Sequence, residues 1–264
     1  MTAPGDESPS RGLDPIALSG PERRALAEDL LIFSGLHDRE PDADTLAALR
    51  EEGPDEWFSL SLSGPEWETA RRHLREGLAA IPADPGSADL DDLAAEFAAI
   101  YLTFAYRAAP CESVWRDEDG LERQAPMFAV REWYRHHGLT VADWRNRPDD
   151  HLVNELLFLA TLLREADGPN GLREAALFLR DHILVWVPAF TGRVAARCRL
   201  QFYAGVALAT GVYLQRLAGL LGLCTGLDMT PPPLKDESRG GTDIGPSCGA
   251  PAVGARAGGP PPPL

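Results

Sequence analysis

At 264 residues and 44% hydrophobic composition the chain can bury one core of roughly 200 residues. Its 40 acidic and 25 basic residues leave a formal charge of -15, which repels phosphate backbones and anionic lipid and argues against a nucleic-acid partner. The same field attracts a cationic partner such as an arginine-bearing peptide, within about 10 Å in salt, and also serves solubility. Cys111, Cys198, Cys224 and Cys248 are scattered without a C-x-x-C pair, and Met1 to Pro15 holds no apolar leader. Both features predict reduced thiols and a cytoplasmic location.

Two helix starts share four letters, Ser19-Gly20-Pro21-Glu22 and Ser63-Gly64-Pro65-Glu66. Each offers a capping hydroxyl, a carboxylate three residues on, and an early proline whose missing N–H costs nothing. After the second start Trp67, Leu74, Leu78 and Ile81 fall on one face. From Ser87 a buried stripe is predicted through Leu90, Leu93, Phe97, Ile100 and Phe104. Pro126 opens a further helix through Met127, Val130 and Tyr134. The next begins after Pro148, with Asp149 as cap and Leu152, Leu156, Leu159 and Leu163 inward; Gly168-Pro169-Asn170-Gly171 breaks the chain. Leu172, Ala176, Leu179 and Ile183 then turn inward until Pro188 interrupts the helix.

The last helix, about Arg199 to Leu221, is rich in Ala and Gly, so neighbours can approach closely. Its uncharged stretch, Phe202 to Leu214, is shorter than the roughly 18 to 20 residues of a bilayer span, and a core helix is expected. No strand is predicted. The expected architecture is all-α: a disordered segment 1–18, one helical bundle over 19–227, and a disordered Pro/Gly-rich tail 228–264.

Three segments could carry chemistry. Pro110-Cys111-Glu112-Ser113-Val114-Trp115 follows the long helix as a proline-opened turn whose Glu112 and Ser113 could cap it or hold a peptide backbone. Cys111 has no local histidine or Gly-rich loop, so no catalytic residue is assigned. Pro148-Asp149-Asp150-His151 sets a histidine against the positive end of a helix beside two carboxylates, either as a capping cluster or as a tunable group facing a ligand. Phe178, His182 and Trp186 are spaced four apart, as core packing or as support for a site. His151, Glu155 and His182 could alternatively form a helical metal-dependent enzyme site, and the acidic surface could simply be a protein-binding scaffold.

Taken in order, these segments resemble the TorD/DmsD/NarJ family of cytoplasmic chaperones that mature molybdenum-containing redox enzymes. The family's Pro-x-Glu-Ser-Val-aromatic stretch is matched by Pro110, Glu112, Ser113, Val114 and Trp115. Its Pro-Asp-x-His start and Glu-Leu-x-Phe continuation are matched by Pro148, Asp149, His151, Glu155, Leu156 and Phe158. Phe178, His182, Trp186, Pro188 and Phe190 fit the later pattern. The match is strong from about Leu93 to Leu221; Arg147, Cys111 and Trp115 depart from the usual residues.

The resemblance implies a non-enzymatic all-α protein, monomeric or a domain-swapped dimer; no cofactor, metal or stable membrane insertion is expected. Its partners would be a molybdoenzyme catalytic subunit and that subunit's twin-arginine signal peptide, held until cofactor insertion is complete. Glu112, Ser113, Trp115, Asp149, Asp150 and His151 would meet the peptide, with Tyr106, Glu155, His182 and Trp186 in support.

Overall fold

In a computed structural model of the chain, which describes residues 17–234, Ser19 caps the first helix, α1 (Gly20–Asp38), by the box its sequence predicts. The Glu22 amide donates to Ser19 Oγ at 3.4 Å and the Ser19 amide donates back to the Glu22 carboxylate at 2.7 Å. The same letters act differently at 63–66. Helix α3 (Pro65–Ala80) starts from Gly64 at φ 102°, and the freed Ser63 hydroxyl accepts from Arg216 Nη2 at 3.0 Å. Between them lies α2 (Ala43–Glu52), unanticipated from the sequence, capped by Asp42 through the Thr45 amide at 2.8 Å.

Helix α4 (Ser87–Phe97) buries Leu93 and Phe97 and widens into a π turn over Ala98–Leu102. The expected stripe ends there, because Phe104 leaves the helix with φ 52°. The short α5 (Glu112–Arg116) and α6 (Ala125–His136) precede α7 (Leu152–Glu165), whose predicted leucine face is fully buried. Asp149 does not cap α7; His151 does.

The break after α7 falls at Ala166-Asp167, and Gly168 already begins α8 (Gly168–Phe178). A second π segment, Leu179–Ile183, leads into α9 (Leu184–Arg197), so Pro188 lies inside a helix rather than ending one. The π segment has re-registered the hydrogen-bond ladder just before it, and Thr191 Oγ1 donates to the Pro188 carbonyl at 3.2 Å.

The bundle is organised on α10 (Gln201–Thr225), which lies along α3 and is flanked by α9 and α8, while α1 packs on α7 and α7 on α8. Small residues set the closest crossing, as the sequence predicts. A Cβ on Gly77 would stand 2.3 Å from the Phe202 amide nitrogen, and one on Gly205 2.6 Å from that of Leu74. Helix α10 is long and apolar enough to cross a membrane by length and composition, but Phe202, Tyr203, Val206, Tyr213, Leu217 and Leu221 are all buried within this bundle.

The expected tails fall almost wholly outside the described residues. Where 228–234 is described it runs without helix, and Met229 and Leu234 pack against the core.

Candidate functional site

The three sequence segments converge. The chain leaving the π turn of α4 passes through two left-handed non-glycine residues, Phe104 and Arg107, both at φ 52°. Side chains from α9 hold this strained loop. Arg193 Nη1 donates to the Arg107 carbonyl at 2.9 Å, and Arg197 Nη1 to that of Tyr106 at 2.8 Å. Tyr106 OH donates to Glu96 Oε1 at 3.0 Å. Trp115 donates to the Ala109 carbonyl at 2.8 Å and stacks under the Arg193 guanidinium, 4.3 Å from the ring centre.

Residues 110–113 then pair antiparallel with 149–152. The Glu112 amide donates to the Asp150 carbonyl at 3.0 Å and the Leu152 amide to the Pro110 carbonyl at 2.8 Å, around a bridge between Cys111 and His151.

The acidic side chains are spent inside this junction. Asp150, fully buried, accepts from the Ser113 amide at 2.7 Å and from the Ser113 hydroxyl, so it caps α5 rather than its own helix. Burial pushes its carboxyl above the ordinary range. Asp149 takes Arg131 of α6 in a two-pronged grip, 3.2 and 2.8 Å, while its carbonyl accepts from Tyr134 OH at 2.9 Å. Glu112 is paired with Arg116, and its other oxygen lies 3.0 Å from His182 Nδ1.

Glu155 accepts from Trp186 Nε1 at 3.1 Å. Burial first, then neighbouring Glu112 and Asp150, hold the Glu155 carboxyl well above its usual range, which favours its neutral form. His182 and Trp186 thus support the junction from the α8–α9 side.

Four of the residues expected to meet a peptide, Glu112, Ser113, Asp149 and Asp150, are buried within this junction. A buried carboxylate without partners is costly to keep, and these four residues spend their hydrogen bonds on one another and on the surrounding helices, with Asp150 Oδ1 alone of their side-chain oxygens buried without a hydrogen-bond partner. Trp115 is occupied with Arg193 and the Ala109 carbonyl. Cys111 is buried, and burial followed by Asp150, Glu122 and Glu155 raises its thiol well above the usual range, which suppresses the thiolate.

His151, Glu155 and His182 are each turned to a different partner: His151 Nδ1 accepts from the Val153 amide, Glu155 accepts from Trp186 Nε1, and His182 Nδ1 faces Glu112. Among the described residues the group of three ligand-type side chains with ligand atoms within 4.8 Å of one another lies elsewhere, so these three residues do not assemble a metal centre.

Of the expected contact residues, His151 alone lines the adjoining cavity, an open groove of about 830 Å³. His151 Nδ1 accepts from the Val153 amide at 3.2 Å, which leaves Nε2–H as the only ring group available to a ligand. Its pKa falls to about 3, through burial first and then Arg147 and His37, so the ring is neutral.

The groove runs between the 102–104 turn, the 139–148 loop and α7. Leu102, Leu139 and Leu157 are exposed along it, and Phe97, Tyr101 and Phe158 also line it. Asp38, Glu122 and Asp143 give it an acidic side, and Arg147 is held there by Asp38 at 2.5 Å. Sequence reasoning missed most of these residues. The available signal is Leu157, an apolar residue standing off the leucine stripe of α7.

A family model described as "Nitrate reductase delta subunit" matches residues 64–192, which contain the junction and most of the groove wall. A chaperone protein TorD from Vibrio cholerae is 31% identical over 153 residues, 55% of this chain and 68% of that one. The chain belongs to the TorD/NarJ family of maturation chaperones. A Vibrio vulnificus TorD is 32% identical over 120 residues, 42% of this chain and 56% of its relative, so there the chain spans little more than half the relative's length. A Photobacterium profundum TorD is 31% identical over 140 residues, 50% of this chain and 65% of that one. Helices α1, α2 and α10 lie outside the stretch that matches the family model, although α10 completes the core beneath it.

Proposed function

We propose that the protein is a non-enzymatic cytoplasmic chaperone that takes the twin-arginine signal peptide of a molybdoenzyme catalytic subunit into the groove beside His151. It would hold the apo subunit back from export until its cofactor is inserted. The observation that carries this reading is the groove itself, which joins exposed apolar side chains to three carboxylates in one open channel. A signal peptide offers the complement, an apolar segment beside an arginine pair.

Covering roughly 500 Å² of peptide apolar surface at about 25 cal/mol per Å² gives on the order of 12 kcal/mol gross, much of it offset by ordering the peptide. Carboxylates at an exposed rim add only about 0 to 1 kcal/mol each, so Asp38, Glu122 and Asp143 would set orientation and selectivity. The Arg147–Asp38 pair would open when a peptide arginine replaces Arg147.

Titration calorimetry with an arginine-pair peptide and its lysine-pair variant tests the reading. Leu157→Asp, at a site 41% exposed, is expected to weaken peptide binding at least tenfold while leaving the unfolding midpoint in place. Equal affinity of wild type and Leu157→Asp would remove the groove from the reading, and no affinity for any arginine-pair peptide would remove the function.

A further inference from the structure

The end of α6 carries a grouping of ligand-type side chains that neither the junction nor the groove uses. His136, the last residue of α6, and His137, its cap, face Glu174 of α8, with one ligand atom from each within 4.8 Å of the others. The His137–Glu174 approach is the informative one. Nε2 and Oε2 are 3.7 Å apart, too far for a hydrogen bond, and His137 Nε2 is buried with no hydrogen-bond partner. A buried ring nitrogen left in this state is unfavourable unless something else satisfies it.

Zinc bonds to imidazole nitrogen and carboxylate oxygen of about 2.0–2.1 Å give a tetrahedron whose ligand–ligand edges are about 3.3–3.4 Å. The observed gap is therefore a few tenths of an ångström from a coordination edge. The ring is already oriented, edge-on to Phe158 at 5.4 Å and to His136 at 5.2 Å between centroids. The Glu174 side chain is 44% exposed and can make that small adjustment, and His136 is exposed and free to turn towards the other two from within 4.8 Å. The nearest cationic side chain along the helix, Arg135, is itself paired with Glu132 at 2.7 Å.

We propose that His136, His137 and Glu174 bind a zinc-class divalent cation, with water completing the coordination, and so clip the end of α6 to α8. Two imidazoles and one carboxylate suit late first-row divalent ions and not magnesium or calcium, which favour all-oxygen shells. The clip bears on the groove, because Phe158 both packs against His137 and lines the channel, and α6 also supplies the Arg131 and Tyr134 that hold Asp149.

The test uses the full-length chain without an affinity tag, treated with EDTA and desalted, then titrated with zinc chloride by calorimetry and followed by thermal unfolding. One zinc per chain is expected, with an unfolding midpoint raised by about 5 °C at a hundredfold excess over the dissociation constant. His136→Gln with Glu174→Gln, both at accessible positions, is expected to leave the metal-free midpoint unchanged and to weaken zinc binding at least tenfold. His137→Ala reports on the buried ligand if it folds. The proposal is overturned if wild type shows neither binding nor stabilisation, if the double variant binds as wild type does, or if magnesium binds equally well.

Discussion

Replacing Asp150 with alanine separates a structural staple from a ligand contact. The carboxylate is fully buried and accepts from both the amide and the hydroxyl of Ser113, whereas the backbone bond from the Glu112 amide survives the substitution. A lost N-cap costs about 1 kcal/mol and a hydrogen bond to a charged group about 1.5–3 kcal/mol. Part of this returns, because burial raises the Asp150 pKa and the fold already spends free energy holding the charge. The net expectation is a loss of about 2 kcal/mol, or roughly 4–8 °C in the unfolding midpoint.

Asp150→Asn keeps an acceptor for Ser113 and is expected to lose about half as much. Urea unfolding with unchanged slope measures the loss, and peptide titration is then run where all variants are folded. If Asp150 were a rim residue, the alanine variant would keep its stability and lose the peptide, and that result would refute the staple.

Gly77→Ala forces a methyl group against the Phe202 backbone and is expected to destabilise the α3–α10 crossing by about 1–3 kcal/mol, read as a lower urea midpoint. His37 is buried between Tyr101 OH at 2.6 Å and Thr210 Oγ1 at 2.8 Å, and burial lowers its pKa to about 3. Its contribution is therefore complete above pH 6.5 and falls by up to about 1.4 kcal/mol per pH unit towards pH 3; His37→Gln should flatten that limb of a urea-midpoint series. Glu155 has the opposite sign, since its raised pKa makes the fold most favoured below about pH 4.5, the ordinary value, and less so as pH rises. Glu155→Gln should match wild type at pH 4.5 and exceed it at pH 8 in the same series.

The apolar periodicity made most of the helical layout legible. The leucine face of α7 and the small residues of α10, Gly205 at its crossing with α3 among them, are where spacing and residue size place them, because such patterns depend only on local geometry. What periodicity could not reach was set by distant partners. Ser63 gives up a capping role to Arg216, 153 residues away, and Asp150 caps a helix 37 residues upstream. The two π segments are likewise invisible to a 3.6-residue period, and they fall at the loop leading to Cys111 and at His182 itself. The motifs could therefore be recognised as a set while their direction, inward rather than towards a ligand, could not.

That direction changes what the motifs can specify. Glu112, Ser113, Asp149, Asp150, Glu155, His182 and Trp186 tie the motif segments and the surrounding helices together, and none of the seven lines the groove, which His151 reaches beside them. A device of this kind positions a groove without choosing its occupant. On the proposed reading, the choice of client falls to the side chains that line the channel: Leu102, Leu139 and Leu157 for the apolar segment, and Asp38, Glu122 and Asp143 for the arginines. These lie at the ends of α1 and of the first π segment, on loops and on the free face of α7, where substitutions cost the bundle little. Grafting the channel residues of a relative that serves another client should therefore transfer peptide preference without moving the unfolding midpoint. Grafting the junction residues should do the reverse.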